Sequence, residues 1–351
     1  MVNLSIIGAT GYVGLELVRI LCVHPNIRLQ KLVSQSYVGK KFSDIYPSLR
    51  SRCDIECTEL NINELAKSSE IVITALPPEA SKDIIPALLQ LGVKVIDHSA
   101  LFRYKDPKVF EKVYKSEHNL PALQAKSVYG IPELYREQIK DATLIADPGC
   151  YPTCSVLGLA PAINSELIDL SSIIINAVSG VSGAGRKEEL AYGFCEIESN
   201  YKAYGIANHR HTSEIEQELS LLAGTDINVS FTPHLAPFKR GMLATIHTNL
   251  TDAAIASGVS TEKVLEIYKE YYKDKQFVRI MPLGTTPEVK YVAGSNFIDI
   301  GVIVDLRVKR LIIVSAIDNL LKGSAGQAVQ ALNIMMGIDE GTGISVPGMQ
   351  L

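Results

Sequence analysis

The chain has 351 residues, a formal charge of -4, and 47 % apolar against 21 % charged residues. A single hydrophobic core stops growing at roughly 250–300 residues, so this length predicts two lobes. The balanced, interspersed charges exclude a basic stripe for nucleic acid and point to a small-molecule ligand.

The chain enters an apolar strand pattern at Val2 without a basic leader, and no apolar run approaches the roughly 20 residues that span a bilayer. A cytoplasmic protein without membrane contact is the expectation. Six cysteines in a chain of this size are read as reduced thiols, and the spacing of Cys53 with Cys57 and of Cys150 with Cys154 lacks the further ligands a metal needs, so no metal site is expected.

In chain order, short β-branched runs predict strands at 4–7, 29–33, 71–76, 93–96 and 144–146, with helices at 12–23 and 79–91 between them. Alternation of this kind is the mark of a parallel sheet with covered faces. From Asp147 onward the texture changes to longer strands, at 173–178, 227–232, 243–247, 298–304 and 311–317, followed by a helix over about 319–336. The fold expected is therefore α/β: a Rossmann-type doubly wound domain over 1–147, rejoined by the C-terminal helix (about 318–351), and an α+β catalytic domain over 148–317 with a mixed or antiparallel sheet.

The first strand runs directly into Gly8-Ala9-Thr10-Gly11-Tyr12-Val13-Gly14. Glycines at such a turn let backbone N–H groups approach a pyrophosphate at the positive end of a helix, so Gly8, Thr10, Gly11, Tyr12, Val13 and Gly14 are assigned to a dinucleotide. An NAD-selective site places a carboxylate at the end of the second strand. Here that strand ends in Val33-Ser34-Gln35-Ser36 with Lys40 and Lys41 nearby, and the hydroxyls of Ser34 and Ser36 with two cations suit a 2′-phosphate. The cofactor expected is NADP(H).

Asp147-Pro148-Gly149-Cys150-Tyr151-Pro152-Thr153 follows a strand and leads into a helix. A cysteine there meets free N–H groups and the helix dipole, which stabilise a thiolate and can hold an oxyanion, so Cys150 is the candidate nucleophile and Cys154, one turn on, is expected to be inert. His209-Arg210-His211 precedes a helix whose Ser213 and Glu216 have capping-box spacing, and a histidine fixed at a helix start is well placed to move a proton. Two further segments, Asp97 to Arg103 and Ser179 to Arg186, join small residues to an arginine, as phosphate and carboxylate sites do.

With these motifs in this order, together with Tyr129-Gly130-Ile131-Pro132-Glu133-Leu134, Gly294-Ser295-Asn296-Phe297 and Asp318-Asn319-Leu320-Leu321-Lys322-Gly323, nearly the whole chain resembles the N-acetyl-gamma-glutamyl-phosphate reductase family of arginine biosynthesis. The resemblance implies Cys150 as nucleophile and His211 as acid and base, with His209 left for the substrate. It implies Asn319 near the nicotinamide, Ser99, Arg103, Ser182 and Gly183 near the substrate, and a homodimer or homotetramer built through the second domain. The implied reaction captures an acyl phosphate as a thioester on Cys150 and reduces it with NADPH to an aldehyde.

The chain departs from the family pattern at Asp147, where Asn or Ser is usual, at His98 and Leu101, where Leu and Asp are usual, and at Pro78, which stands where a histidine is usual. Three alternatives stay open: a carrier-protein-linked aminoadipyl or glutamyl phosphate reductase, an aspartate-semialdehyde dehydrogenase, and a non-catalytic NADP-binding sensor on the same fold.

Overall fold

The computed structural model describes residues 1–186 and 188–350. The chain divides into two units: Met1–Pro148 with Ser324–Ser345, and Gly149–Gly323 with Val346–Leu351.

In the first unit a seven-stranded sheet is built from β1 (Val2–Ile7), β2 (Ile27–Val33), β3 (Cys57–Thr58), β4 (Ile71–Thr74), β5 (Lys94–Asp97), β6 (Val128–Tyr129) and β7 (Leu144–Ala146), in the order β3-β2-β1-β4-β5-β7-β6. Every pairing is parallel. Parallel strands carry helices on both faces, which is why β4 is buried at all four positions and why Leu4, Ile6, Val95 and Ile96 are solvent-free. Each such side chain stabilises the fold by about 1.5–3 kcal/mol.

The doubly wound reading therefore holds, with strand ends displaced by one or two residues. Order reverses at β1, flanked by β2 on one side and β4 on the other, and ligands of such sheets bind along the carboxyl edge at that switch point. The C-terminal helix Gly326–Met335 belongs to this unit and packs on Pro132–Asp141, where the buried Gln330 amide donates to Glu133 Oε1 at 3.0 Å.

The expected continuous helix from 319 is instead broken into a π-turn at Leu321–Ala325 followed by the α-helix from Gly326. Gly323 falls within that turn and Gly326 opens the α-helix that follows, and glycine propagates a helix poorly.

The second unit has its own seven-stranded sheet: β8 (Ile174–Gly180), β9 (Lys202–Ala203), β10 (Ser230–Ala236), β11 (Met242–Asn249), β12 (Val278–Ile280), β13 (Ile298–Asp305) and β14 (Arg310–Ile317), in the order β12-β13-β14-β11-β8-β10-β9. Parallel pairs (β8 with β10, β12 with β13) sit among antiparallel ones, so the sheet is mixed. One expected strand moves: 227–232 becomes Ser230–Ala236. Ile227 N–H and Val229 N–H donate instead to Ser220 Oγ and Glu216 Oε1 of the preceding helix, which takes them out of the ladder.

Strands β8, β11 and β14 alternate between closed and more open positions, and the closed face packs under the helix Cys150–Asn164. That helix is buried from Tyr151 to Ile163, as expected of one that is apolar all round. Pro161 inside it has no N–H to give Leu157 O, and the Tyr272 hydroxyl supplies the missing donor at 2.5 Å.

Candidate active site

Three backbone segments of the second unit meet at Cys150. Gly149 is the N-cap of the helix that Cys150 opens. The helix His211–Ala223 begins beside it. A Cβ built on Gly149 would lie 2.6 Å from His211 Nε2, closer than real contacts allow, so only glycine admits the imidazole to this position. From the third side, a Cβ on Gly323 would come within 2.8 Å of Cys150 Cβ. Two glycines thus let a histidine and a turn close on the cysteine backbone.

Glu214 stands one turn beyond His211, is fully buried, and accepts the Gly149 N–H at 2.8 Å. Residues three apart share a helix face, so one face of this helix carries both the histidine and the carboxylate that holds the cysteine turn. Sequence reasoning missed Glu214, although its spacing from His211 was the available signal. It also misjudged the helix start. Because the helix begins at His211 with Arg210 as N-cap and no side-chain cap, Ser213 lies inside the first turn, where its hydroxyl bonds to Arg210 O at 3.4 Å, and Glu216 serves Val229; there is no capping box.

Tyr151 adds a wall. It is 2 % exposed, its ring stands edge-on to His209 and His211, and its hydroxyl lies 3.0 Å from that of Tyr204. Burial raises the Tyr151 phenol well above its usual range, so it remains protonated. His209 Nδ1 accepts the backbone N–H of His211 at 3.1 Å, which orients the His209 ring.

Burial, with Arg210 beside it, pushes the His209 imidazole down to about 4. A folded-state value below the ordinary 6.5 means the unfolded chain binds more protons between the two values, so His209 stabilises fully above about pH 6.5 and that stability is lost as pH falls through 4. The His209 ring proton is expected to titrate near pH 4 by NMR, and the wild type should lose Tm below pH 6.5 more steeply than His209→Asn. A His209 midpoint near 6.5 would contradict this account.

Two of the other thiols are unsuited to attack. Cys154 is fully buried and pushed up to about 12, mainly by burial, while Cys53 is pushed up to about 11 by the same cause. Among the described residues no group of three or more His, Cys, Asp and Glu side chains could hold a metal, and no helix is long and apolar enough to cross a membrane.

Asn319 is anchored twice: its Oδ1 accepts the Gly241 N–H at 2.6 Å and its Nδ2 donates to Ser182 Oγ at 3.0 Å. A Cβ on Gly183 would sit 3.7 Å from the same amide, so Asn319, Ser182 and Gly183 form one cluster, within the second unit.

The remaining candidates lie in the first unit. Gly8 has φ +81°, and a Cβ there would strike Ala75 O at 2.3 Å; one on Gly14 would strike Gly8 O at 2.4 Å. A side chain at either place would fill the cradle, whereas Gly11 is sterically undemanding. Gly11 caps the helix that opens with Tyr12 and Val13, and Thr10 Oγ1 lies 2.9 Å from Ser34 Oγ. Ser36, Lys40 and Lys41 are exposed at the end of β2. Ser99 and Arg103 are both buried and turned to internal duty: Ser99 Oγ donates to Asp97 at 2.5 Å, and the Arg103 guanidinium donates to Asp147 O at 2.7 Å and to His98 O at 2.9 Å.

Two family models cover this arrangement: semialdehyde dehydrogenase, NAD binding domain, over residues 3–142, and semialdehyde dehydrogenase, dimerisation domain, over 150–319. An N-acetyl-gamma-glutamyl-phosphate reductase of Acetivibrio thermocellus is 56 % identical over 351 residues, 100 % of both chains. The chain belongs to the N-acetyl-gamma-glutamyl-phosphate reductase family. Another member of this reductase family, from Pelotomaculum thermopropionicum, is 49 % identical over 99 % of each chain.

Among solved structures, aspartate semialdehyde dehydrogenase II of Vibrio cholerae complexed with ASA superposes with a TM-score of 0.73 at 19 % identity, covering 96 % of this chain and 98 % of that one. The Candida albicans aspartate semialdehyde dehydrogenase with NADP gives 0.72 at 17 %, covering 96 % and 98 %. At such identity the likeness is one of fold. The protein is an oxidoreductase of the semialdehyde dehydrogenase class, as expected from its sequence.

Proposed function

We propose that the protein reduces N-acetyl-glutamyl 5-phosphate to N-acetyl-glutamate 5-semialdehyde and phosphate with NADPH, a step of arginine biosynthesis, through a thioester on Cys150. The observation that carries this reading is the packing of His211 against Gly149, which sets an imidazole beside the first turn of the cysteine's helix.

His211 takes the thiol proton as the Cys150 sulfur attacks the acyl carbon, and the C–O bond to phosphate breaks. N–H groups of the helix start stabilise the oxyanion, while Glu214 holds the Gly149 N–H and keeps that turn in place. NADPH, when bound, supplies the hydride that reduces the thioester. His211 returns its proton as the thiohemiacetal collapses, which frees the aldehyde and restores the thiol. Asn319, Ser182, Gly183, His209, Ser99 and Arg103 are proposed to line or support the nicotinamide and substrate sites.

The nucleotide cradle fits a dinucleotide because Gly8 and Gly14 leave space that a Cβ would fill. Ser34, Ser36, Lys40 and Lys41 suit a 2′-phosphate and include no carboxylate that would repel it. A homodimer through the second unit is proposed on the more open face of its sheet, where Ile174 is 37 % exposed and Leu243, Ile312 and Val314 are only half-buried.

The test is the reverse reaction, NADP+ reduction by N-acetyl-glutamate semialdehyde. Turnover should require phosphate and should favour NADP+ over NAD+ by roughly 10- to 100-fold, the worth of one or two charge-assisted contacts. Phosphate-independent turnover, or a preference for NAD+, would refute the corresponding part of the reading.

A further inference from the structure

Asp318, fully buried, ties the Asn319 cluster to a part of the second unit that the proposed mechanism leaves unused. Its Oδ1 accepts the N–H groups of Leu320 and Leu321 at 2.9 and 3.2 Å, while its Oδ2 accepts the Gly294 N–H at 2.7 Å and lies 3.4 Å from Arg240 Nε. Its carbonyl accepts the N–H of Gly323, the glycine that closes on Cys150. One carboxylate thus sets the turn that carries Asn319, and the shortest of these contacts is the one to Gly294.

Gly294 stands just past the short helix Val289–Val292, in left-handed backbone at φ +81°. A helix end leaves carbonyls without donors from the helix itself, and residues 348 and 349 come to this one. Met349 N–H donates to Ala293 O at 2.8 Å, and Gly348 passes so close that a Cβ on it would lie 2.2 Å from Tyr291 O. The Met349 side chain covers Gly294, where a Cβ would meet its Cγ at 2.8 Å. Ala293 C=O and Gly294 N–H belong to a single planar peptide unit, so fixing its oxygen fixes the direction of its N–H. That unit is gripped on both sides, by Met349 at the oxygen and by Asp318 at the hydrogen. Val289, at the other end of the same helix, packs on Gly241, whose N–H Asn319 accepts.

We infer that the segment 346–350 is a positioning element of the active site: through the Ala293–Gly294 peptide it orients Asp318, and through Asp318 it holds Arg240 and the Asn319 side chain in place. This rests on the reading above, in which Asn319 and Ser182 support the substrate and nicotinamide sites. No chemical step is assigned to the segment. The contacts it supports bind the ground state and the transition state alike, so its release should raise KM and leave kcat nearly unchanged.

The test is Met349→Pro, which removes the one N–H at a position 58 % exposed and so disturbs no core. In the reverse reaction KM for N-acetyl-glutamate semialdehyde should rise about 5- to 10-fold, the worth of one hydrogen bond, with kcat within about twofold of the wild type and Tm nearly unchanged. Met349→Leu keeps the N–H and an apolar side chain, and should restore the wild-type KM. Gly348→Val should push the segment off Tyr291 O and reproduce the proline result by a second route; it serves also if the proline variant is insoluble. A proline or valine variant with the wild-type KM overturns the inference. So does a loss of kcat or Tm at unchanged KM, which is what a merely structural segment would give, or a leucine variant as impaired as the proline one. A wild type without phosphate-dependent turnover of this aldehyde would instead sink the reading of function on which the inference rests.

Discussion

Cys150→Ala is expected to abolish phosphate-dependent turnover, lowering kcat by about 10⁴-fold or more, while NADP+ affinity and Tm stay near the wild-type values. Loss of a covalent nucleophile removes the whole intermediate rather than one contact within it, which is why the effect should reach the range seen for other nucleophile deletions. The fold should be indifferent, because Cys150 is half-buried at a helix start and the neighbouring core, from Tyr151 to Ile163, remains intact. Serine at this position should be almost as inactive as alanine, since a hydroxyl is a far weaker nucleophile without a thiol's acidity and an ester resists hydride more than a thioester does.

The neighbouring and buried cysteines do not offer a substitute. Cys154 and Cys53 are buried, with their thiols pushed up to about 12 and about 11, and Cys195 is exposed on the short helix Phe194–Ile197. Single-turnover kinetics on the alanine variant give the decisive reading: substantial residual phosphate-dependent aldehyde oxidation would mean that no thioester forms at Cys150.

His211→Asn should lower kcat by about 10²- to 10⁴-fold, the usual contribution of a positioned acid and base, with KM much less affected. Asparagine keeps a polar group of similar reach but cannot carry a proton at neutral pH. The variant should also lose the acidic limb of the kcat/KM profile, because His209, pushed down to about 4 by burial, cannot supply a group titrating near neutrality. If His209→Asn removed that limb and His211→Asn left it in place, the two histidines would have to exchange roles.

The boundary between what could be read and what could not follows the range of the interactions. A parallel sheet needs continuous apolar runs, so β1, β4 and β7 were legible from composition within a few residues. Strand β10 was misplaced by three residues because Ile227 and Val229 spend their N–H groups on a helix that local pattern cannot see. The capping-box spacing of Ser213 and Glu216 misled for a like reason: the helix starts at His211, where the imidazole packs against Gly149, 62 residues away in the chain.

By itself the sequence determined what is carried by local chemistry. That comprises the alternation of strands and helices, the glycines after β1, a cysteine and a histidine each at a helix start, and hydroxyls with lysines after β2, because each depends on neighbours a few residues away. The tertiary structure alone decided which of these groups meet. Burial against distant partners placed Glu214 on the Gly149 N–H, bound Asn319 between Gly241 and Ser182, turned Arg103 inward, and set His98 beside Asp147. A buried polar group must find a partner wherever the fold brings one, and no spacing in the sequence encodes that meeting.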